Sequence, residues 1–422
     1  MNVKNRMHEE ALSGARWFAG KGREISRTAE ADSVPLPGGA ERLVLLDVEY
    51  SGGQAERYLV ADAGGREPKV GAGFWARLIA ALARGPLQGE RGRLELRPAR
   101  GLPAVGPAAQ EGLPSTDQSN TLVSLGGQVL LKAYRRLEAG THPEIELCSR
   151  LAAGAAPVPA FHGSVHHRGP DGSDTAIALL QELVPGCEAG WDGPIVRAAD
   201  LLARPGDPGA TDAEYAAAGR AAAELHAALA AAFETSAVPP GDWAARRAAA
   251  ERRLAEAAAL DAEAAGLAGP VREGLALLEV HGAGAISRVH GDLHYAQYLR
   301  APGRLLIIDF EGDPTLPLAA RRAPDTPLHD LACLLRSIDH IGSAAARRTG
   351  ADPAGWIRTA RAAALGAYAV EAGARPDPEL LWALELAKAC QELVYAHRVV
   401  PEWAYAPRQG LRRLIAEGPG GP

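Results

Sequence analysis

The stretch from His290 to Pro314, HGDLHYAQYLRAPGRLLIIDFEGDP, constrains this chain more than any other. A short apolar run, Ile286 to Val289, leads into a polar loop that carries Asp292 and Gln297. Pro302-Gly303 marks a tight turn, and the apolar strand Leu305 to Ile308 then ends on Asp309. The pattern predicts two hydrophobic strands joined by a tight connection, with two acids and an amide gathered at their ends. Acids and amides in a polar turn are ordinarily turn residues. What lifts this set above that reading is its spacing.

Four residues separate Asp292 from Gln297. This is the spacing of the phosphoryl-transfer loop H-x-D-x-x-x-x-N, with Gln in place of Asn, and Asp309-Phe310-Glu311 falls where kinases carry Asp-Phe-Gly. The chemistry requires these residue types. A carboxylate at Asp292 is placed to accept the proton of an incoming hydroxyl. A nucleoside triphosphate needs Mg2+, which prefers hard oxygen ligands such as the Asp309 carboxylate and the Gln297 carbonyl.

Composition narrows the classes. A chain of 422 residues suggests two or three domains. A formal charge of −6 gives no basic field for nucleic acid or an acidic membrane. Cys148, Cys187, Cys333 and Cys390 are widely spaced and read as reduced thiols of a cytoplasmic protein. Neither a secretory leader nor an apolar run of membrane-spanning length is evident. Only five of the 45 basic residues are lysines, so a lysine within an apolar strand stands out.

Residues 1–110 read as a first unit: a short helix near Glu9 to Trp17, the motif Arg16-Trp17-Phe18-Ala19-Gly20-Lys21-Gly22-Arg23, strands at Leu43 to Tyr50, Arg57 to Ala61 and Arg93 to Arg97, and a helix over Gly73 to Ala83. A Pro/Gly-rich passage, Pro98 to Pro114, follows as a connection. Residues 111–186 form the next segment. A loop ending in Ser119-Asn120-Thr121 precedes a Gly126-Gly127 hairpin whose second strand carries Lys132. Lys132 is either an edge residue facing water or a functional cation, and the loop suits phosphate contact through N–H and hydroxyl groups. His142-Pro143-Glu144 opens a helix. Glu146 projects back toward Lys132 in this reading, with Glu144 as competitor. The strand Thr175 to Leu183 ends where a hinge would fall, so backbone groups of Glu182 and Val184 are candidates to pair with adenine. Residues 187–422 are mostly helical. Asp330, at a helix start, is either a cap or a group that holds the catalytic loop.

Taken together, His290-Gly-Asp292-Leu-His294-x-x-Gln297, Ile308-Asp309-Phe310-Glu311-Gly312-x-Pro314 and Asp330-Leu-Ala resemble the aminoglycoside phosphotransferase-like kinases. The opening motif, Lys132-Ala-Tyr-Arg-Arg136 and His142-Pro-Glu-Ile-Glu146 are similar to the maltokinase group within them. The resemblance implies an α+β, bilobal protein-kinase-like fold: an N-terminal cap subdomain (1–110), a β-rich N-lobe with hinge (111–186) and a helical C-lobe (187–422). ATP would lie between the lobes and the acceptor sugar in the C-lobe. It also implies Asp292 as catalytic base and Gln297 and Asp309 as Mg2+ ligands. Lys132, Glu146, Ser119, Asn120, Thr121, Glu182 and Val184 would serve ATP, and His290 and Asp330 the structure of the loop.

Near the C-terminus the chain departs from maltokinases. Gln391-Glu392, Tyr395-Ala396-His397-Arg398 and Pro401-Glu402-Trp403 resemble the actinobacterial glucosamine kinases instead. The implied acceptor is glucosamine, phosphorylated at its 6-hydroxyl, with maltose 1-phosphorylation as the alternative. An amino sugar wants a carboxylate partner. Glu392 is the candidate, with Asp200 behind it, and Gln391, Tyr395 and Trp403 complete the expected sugar site around Asp292. Two further readings stand beside this one: a metallohydrolase with His290, Asp292 and His294 as ligands, and a non-catalytic nucleotide-binding protein. The oligomeric state stays open.

Overall fold

The structure is a computed structural model that describes residues 12 and 15 and residues 17–114, 120–204, 208–281, 284–313 and 316–421. It forms two compact units. The first comprises Met1–Ala153 and Pro159–Pro185, the second Gly154–Val158 and Gly186–Pro422. Among the described residues, no helix is long and apolar enough to cross a membrane.

The first unit holds two antiparallel sheets. Strands β1 (Ile25–Pro35), β2 (Glu41–Tyr50) and β3 (Ala55–Ala63) pair in order, and the short β9 (Arg136–Leu137) closes that sheet beside β3. β2 is apolar on both faces because both are covered. Leu43 and Leu45 join the large core with the helix α1 (Phe74–Leu82), while Val44, Leu46 and Val48 pack on the other side with Phe18 and Tyr58. The Trp17-Phe18 motif is thus a packing element: the Phe18 and Tyr58 rings lie 5.1 Å apart, and Arg135 covers Trp17 at 4.5 Å. Arg16 and the expected helix toward Glu9 lie outside the described residues.

The second sheet has seven strands, in the order β4 (Leu87–Gln88), β5 (Arg93–Pro98), β10 (Phe161–Arg168), β11 (Asp174–Glu182), β8 (Val129–Ala133), β7 (Thr121–Leu125) and β6 (Glu111–Gly112). β4 and β5 fall within the stretch expected to form the cap, yet they hydrogen-bond into the same sheet as the 111–186 strands, Leu96 opposite Val165. β10 has no expected counterpart, because its His-rich sequence FHGSVHHR lacks an apolar run. α2 (Pro143–Leu151) follows β9.

The second unit is helical: α3 (Asp192–Ala203), α4 (Pro208–Ala232), α5 (Asp242–Leu260), α6 (Ala262–His281), the single turn α7 (Leu318–Arg321), α8 (Pro327–Thr349), α9 (Ala354–Ala372), α10 (Pro378–Val399) and α11 (Tyr405–Glu417). α4 and α9 approach so closely that a Cβ on Gly219 would lie 2.0 Å from the Ala364 carbonyl oxygen, which only glycine avoids. Two small ribbons interrupt the helices. β12 (Ser236–Ala237) pairs with β13 (Ala285–Ile286), and β14 (Tyr298–Ala301) pairs with β15 (Arg304–Ile307) across the Pro302-Gly303 turn. The hairpin predicted around that turn therefore forms, but its first arm is Tyr298–Ala301. The Ile286 run pairs elsewhere, so Asp292 sits in the loop between two ribbons.

Candidate active site

The loop after β13 is fixed from below by one carboxylate. Asp330, in the first turn of α8, is fully buried and accepts the backbone N–H groups of His290 at 2.7 Å and Gly291 at 2.8 Å. Its Oδ2 also lies 3.2 Å from His226 Nε2, and Tyr368 Oη is 2.9 Å from the other nitrogen of that ring. Burial pushes the Asp330 carboxyl up, but the His226 hydrogen bond and the surrounding histidines hold it below the usual range. The helix cap is a different residue, Thr326, whose hydroxyl accepts from the Leu328 N–H. Of the two roles open for Asp330, the geometry supplies the loop-holding one.

His290 donates from Nε2 to the Ile308 carbonyl (3.0 Å) and accepts the Asp292 N–H at Nδ1 (3.3 Å), which fixes its tautomer. Both ring nitrogens are spent, so His290 is not available to ligate a metal. This corrects the metallohydrolase reading.

Gln297 closes a single 3₁₀ turn, Tyr295–Gln297, and its Nε2 donates to Asp309 Oδ2 at 3.2 Å. Asp309, just beyond β15, has φ +69°, the one positive value among the described non-glycine residues. Such a conformation costs about 1–3 kcal/mol and persists where surrounding structure imposes it. The loop and hairpin thus bring an amide and a carboxylate, both oxygen-bearing groups, into contact. That chemistry fits a hard divalent cation.

Asp292 faces Lys388 on α10, with Lys388 Nζ 3.1 Å from Asp292 Oδ1. Burial alone would push Asp292 up; the Lys388 ammonium and then His294 hold it well below the usual carboxylate range. For Lys388, burial works against the charge, and Asp292 overcomes it, keeping the ammonium protonated. Gln391 and Glu392 follow at i+3 and i+4, on the same helical face. Gln391 Nε2 donates to Asp313 Oδ2 at 2.5 Å. Glu392 Oε2 accepts from Arg336 Nη2 at 3.1 Å and lies 3.2 Å from His340 Nε2. Against its burial, those partners draw the Glu392 carboxyl down to about 2. Arg336 is fully buried under α11, where a Cβ on Gly410 would lie 2.2 Å from its Nη1.

A cavity of about 630 Å³ opens over these groups. Asp292, Lys388, Gln391 and Glu392 line it together with Tyr395 and Trp403, as do Trp191, His294, Asp313 and His340. Trp191 stacks on His294 with ring centroids 5.1 Å apart. Asp200 does not line this cavity. It sits on the exposed part of α3, 3.7 Å from Arg204 one helical turn on, and this corrects its assignment to the sugar site.

In the first unit, Lys132 lies on an interior strand between β7 and β11, with its side chain 7% exposed, so the edge reading is removed. Its Nζ is 2.9 Å from Glu144 Oε2, and Tyr134 Oη donates to the same oxygen at 2.8 Å. The pairing falls to Glu144 and not to Glu146. Glu144 occupies the first turn of α2 and is 2% exposed, so the helix start that could have been mere capping carries a buried ion pair. Asn120 Oδ1 accepts the Arg135 N–H (3.2 Å), and Thr121 Oγ1 accepts from Arg135 Nε (2.7 Å), so both side chains brace the bend between β8 and β9. The Glu182 amide donates to the Ala160 carbonyl at 2.8 Å, and Val184 is buried. Ser119 and Pro314 lie outside the described residues.

Residues 111–365, more than half of the chain, match the phosphotransferase enzyme family. The chain belongs to that family. Residues 12–91 of this phosphotransferase also match the maltokinase N-terminal cap domain. A glucosamine kinase of Mycolicibacterium smegmatis is 31% identical over 92% of this chain and 99% of its own length. One of Streptacidiphilus jiangxiensis is 32% identical over 85% of each. Among solved structures, a glucosamine kinase superposes with a TM-score of 0.76 at 27% identity, covering 99% of this chain and 100% of that one. A glucosamine kinase in complex with glucosamine, ADP and inorganic phosphate gives 0.71 at 26% identity, covering 98% and 99%. The kinase-like fold expected from sequence is the fold observed.

Cavity residues of the phosphotransferase that were not assigned from sequence include Lys388, Trp191, His340 and Asp313. A signal for Lys388 was present. It is a rare lysine, spaced i, i+3, i+4 with Gln391 and Glu392, just before the segment that begins at Gln391. Trp191 and His340 carry no local signal, because they enter from the turn before α3 and from α8, respectively.

Proposed function

We propose that the protein transfers the γ-phosphoryl group of ATP to glucosamine, giving glucosamine 6-phosphate. The observation that carries this reading is that the carboxylates of Asp292 and Glu392 line one cavity. Asp292 accepts the proton of the 6-hydroxyl, and Glu392 offers a charged partner to the sugar's ammonium group. Gln391, Tyr395 and Trp403 form the walls against which the ring is oriented. Lys132, held by Glu144, supplies the cation for the nucleotide phosphates, while the Asn120-Thr121 loop and the backbone near Glu182 and Val184 serve the rest of the nucleotide. Gln297 and Asp309 would hold Mg2+, which would neutralise phosphate charge. Similarity to glucosamine kinases, one of them solved with glucosamine and ADP, supports both substrates.

One observation favours a second reading: the N-terminal match to the maltokinase cap is consistent with maltose as acceptor. ADP release measured side by side with glucosamine, maltose and an aminoglycoside separates the two. The expected result is fastest turnover with glucosamine and a product phosphorylated at the 6-position. Faster turnover with maltose would overturn the assignment.

A further inference from the structure

Lys388 has a place in this reaction that follows from its geometry. Its side chain is 12% exposed, its Nζ lies 3.1 Å from Asp292 Oδ1, and it lines the same cavity as Glu392, one helical turn further along α10. The opposite oxygen, Asp292 Oδ2, is 3.8 Å from His294 Nε2, beyond a hydrogen bond. One carboxylate oxygen is therefore tied down and the other is presented. In a chain whose basic residues are overwhelmingly arginine, this position holds a lysine. An ammonium is a compact point charge, whereas a guanidinium fork tends to engage both oxygens of a carboxylate at once.

We propose that Lys388 is a positioning and specificity residue for phosphoryl transfer. It holds Asp292 so that Oδ2 meets the acceptor hydroxyl, and its charge selects which hydroxyl that is. The inference rests on Asp292 as base and glucosamine as acceptor. In the step itself, the sugar O–H gives its proton to Asp292 Oδ2 and the sugar oxygen bonds to the γ-phosphorus. The bond from that phosphorus to the β,γ-bridging oxygen breaks, and its electron pair leaves on ADP. A protonated amino sugar brings its own ammonium at C2. Presenting the hydroxyl at C1 or C3 would carry that ammonium to the Lys388 end of the cavity, where like charges repel. The 6-hydroxyl is remote from the amine and escapes this, while the amine is free to approach Glu392.

The test uses the full-length protein with Lys388→Met and Lys388→Ala. Lys388→Met is expected to lower kcat for glucosamine by about 10- to 100-fold, less than the loss of the base itself, with KM for ATP little changed. Phosphorus and proton NMR of its product should show an additional ester next to the amine. Lys388→Ala is expected to recover turnover on addition of methylammonium or ethylammonium, which a purely structural role would not allow. Wild-type kcat in Lys388→Met, or no recovery by small ammonium ions in a Lys388→Ala protein that melts like wild type, would overturn the positioning role. An exclusive 6-phosphate product from Lys388→Met would overturn the selectivity. Absence of any ester from the wild-type protein with glucosamine would instead overturn the acceptor assignment.

Discussion

Replacing Asp330 by Asn tests how the catalytic loop is held. The carboxylate accepts two backbone N–H groups, from His290 and Gly291, and meets His226 Nε2, all without solvent contact. An amide of the same shape keeps one acceptor oxygen and turns an NH2 toward the remaining partners. One buried N–H is then unpaired, at about 1–3 kcal/mol, and the surviving bonds lose their charge assistance, another ~1–2 kcal/mol. The sum, about 2–5 kcal/mol, corresponds to roughly 4–20 °C in the melting temperature of a unit of this size. Asp292 lies two residues beyond His290, so kcat should fall along with stability. Differential scanning calorimetry of Asp330→Asn beside wild type, followed by an ADP-release assay well below both transitions, checks both effects. A melting shift below about 2 °C with unchanged kcat would refute the view that Asp330 organises the loop, since an exposed substitution does no more than that.

Other consequences are as direct. Glu392→Gln should raise KM for glucosamine by about 10- to 100-fold, the worth of a hydrogen bond to a charged group, with KM for ATP unchanged in steady-state kinetics. Glu144→Gln should weaken turnover at limiting ATP by about tenfold or more, and Glu146→Gln should stay within about twofold, because the buried partner of Lys132 is Glu144. Acid should unfold the helical unit in a defined window. Burial pushes Glu392, Asp261 and Asp325 up, but Arg336 and His340, Arg408 and His397, and His329 and Arg246 respectively bring them down to about 2. Carboxyls depressed in the folded state contribute stability that is complete above their unfolded values near 4 and is lost as pH falls toward about 2. Circular dichroism at graded pH should therefore show the loss between roughly pH 4 and 2, and retention of structure at pH 2 would contradict these pairings.

Much of the reaction centre was legible because it is local. Asp292, Gln297 and Asp309 lie within 18 residues of one another, and the Pro302-Gly303 turn announces the fold that joins Gln297 to Asp309. The first arm of that hairpin was sought at Ile286 to Val289, but ribbon pairing followed the Pro302-Gly303 turn, which joins Tyr298–Ala301 to Arg304–Ile307. The choice between Glu144 and Glu146 depends on which helical position faces β8, and two acids in one first turn do not reveal that. Asp200 stood behind Glu392 as a carboxylate candidate; its exposure on α3 removes it. Lys388 was missed because its meaning is tertiary: 96 residues separate it from Asp292.

The central claim is that Asp292 is the base of a glucosamine-directed phosphoryl transfer. ADP release with glucosamine and ATP, compared between wild type and Asp292→Asn, tests it most directly when nucleotide affinity is measured in parallel by titration calorimetry. The expected result is intact ATP binding with turnover lowered by about 10²- to 10⁴-fold. Turnover of Asp292→Asn at the wild-type rate would contradict it.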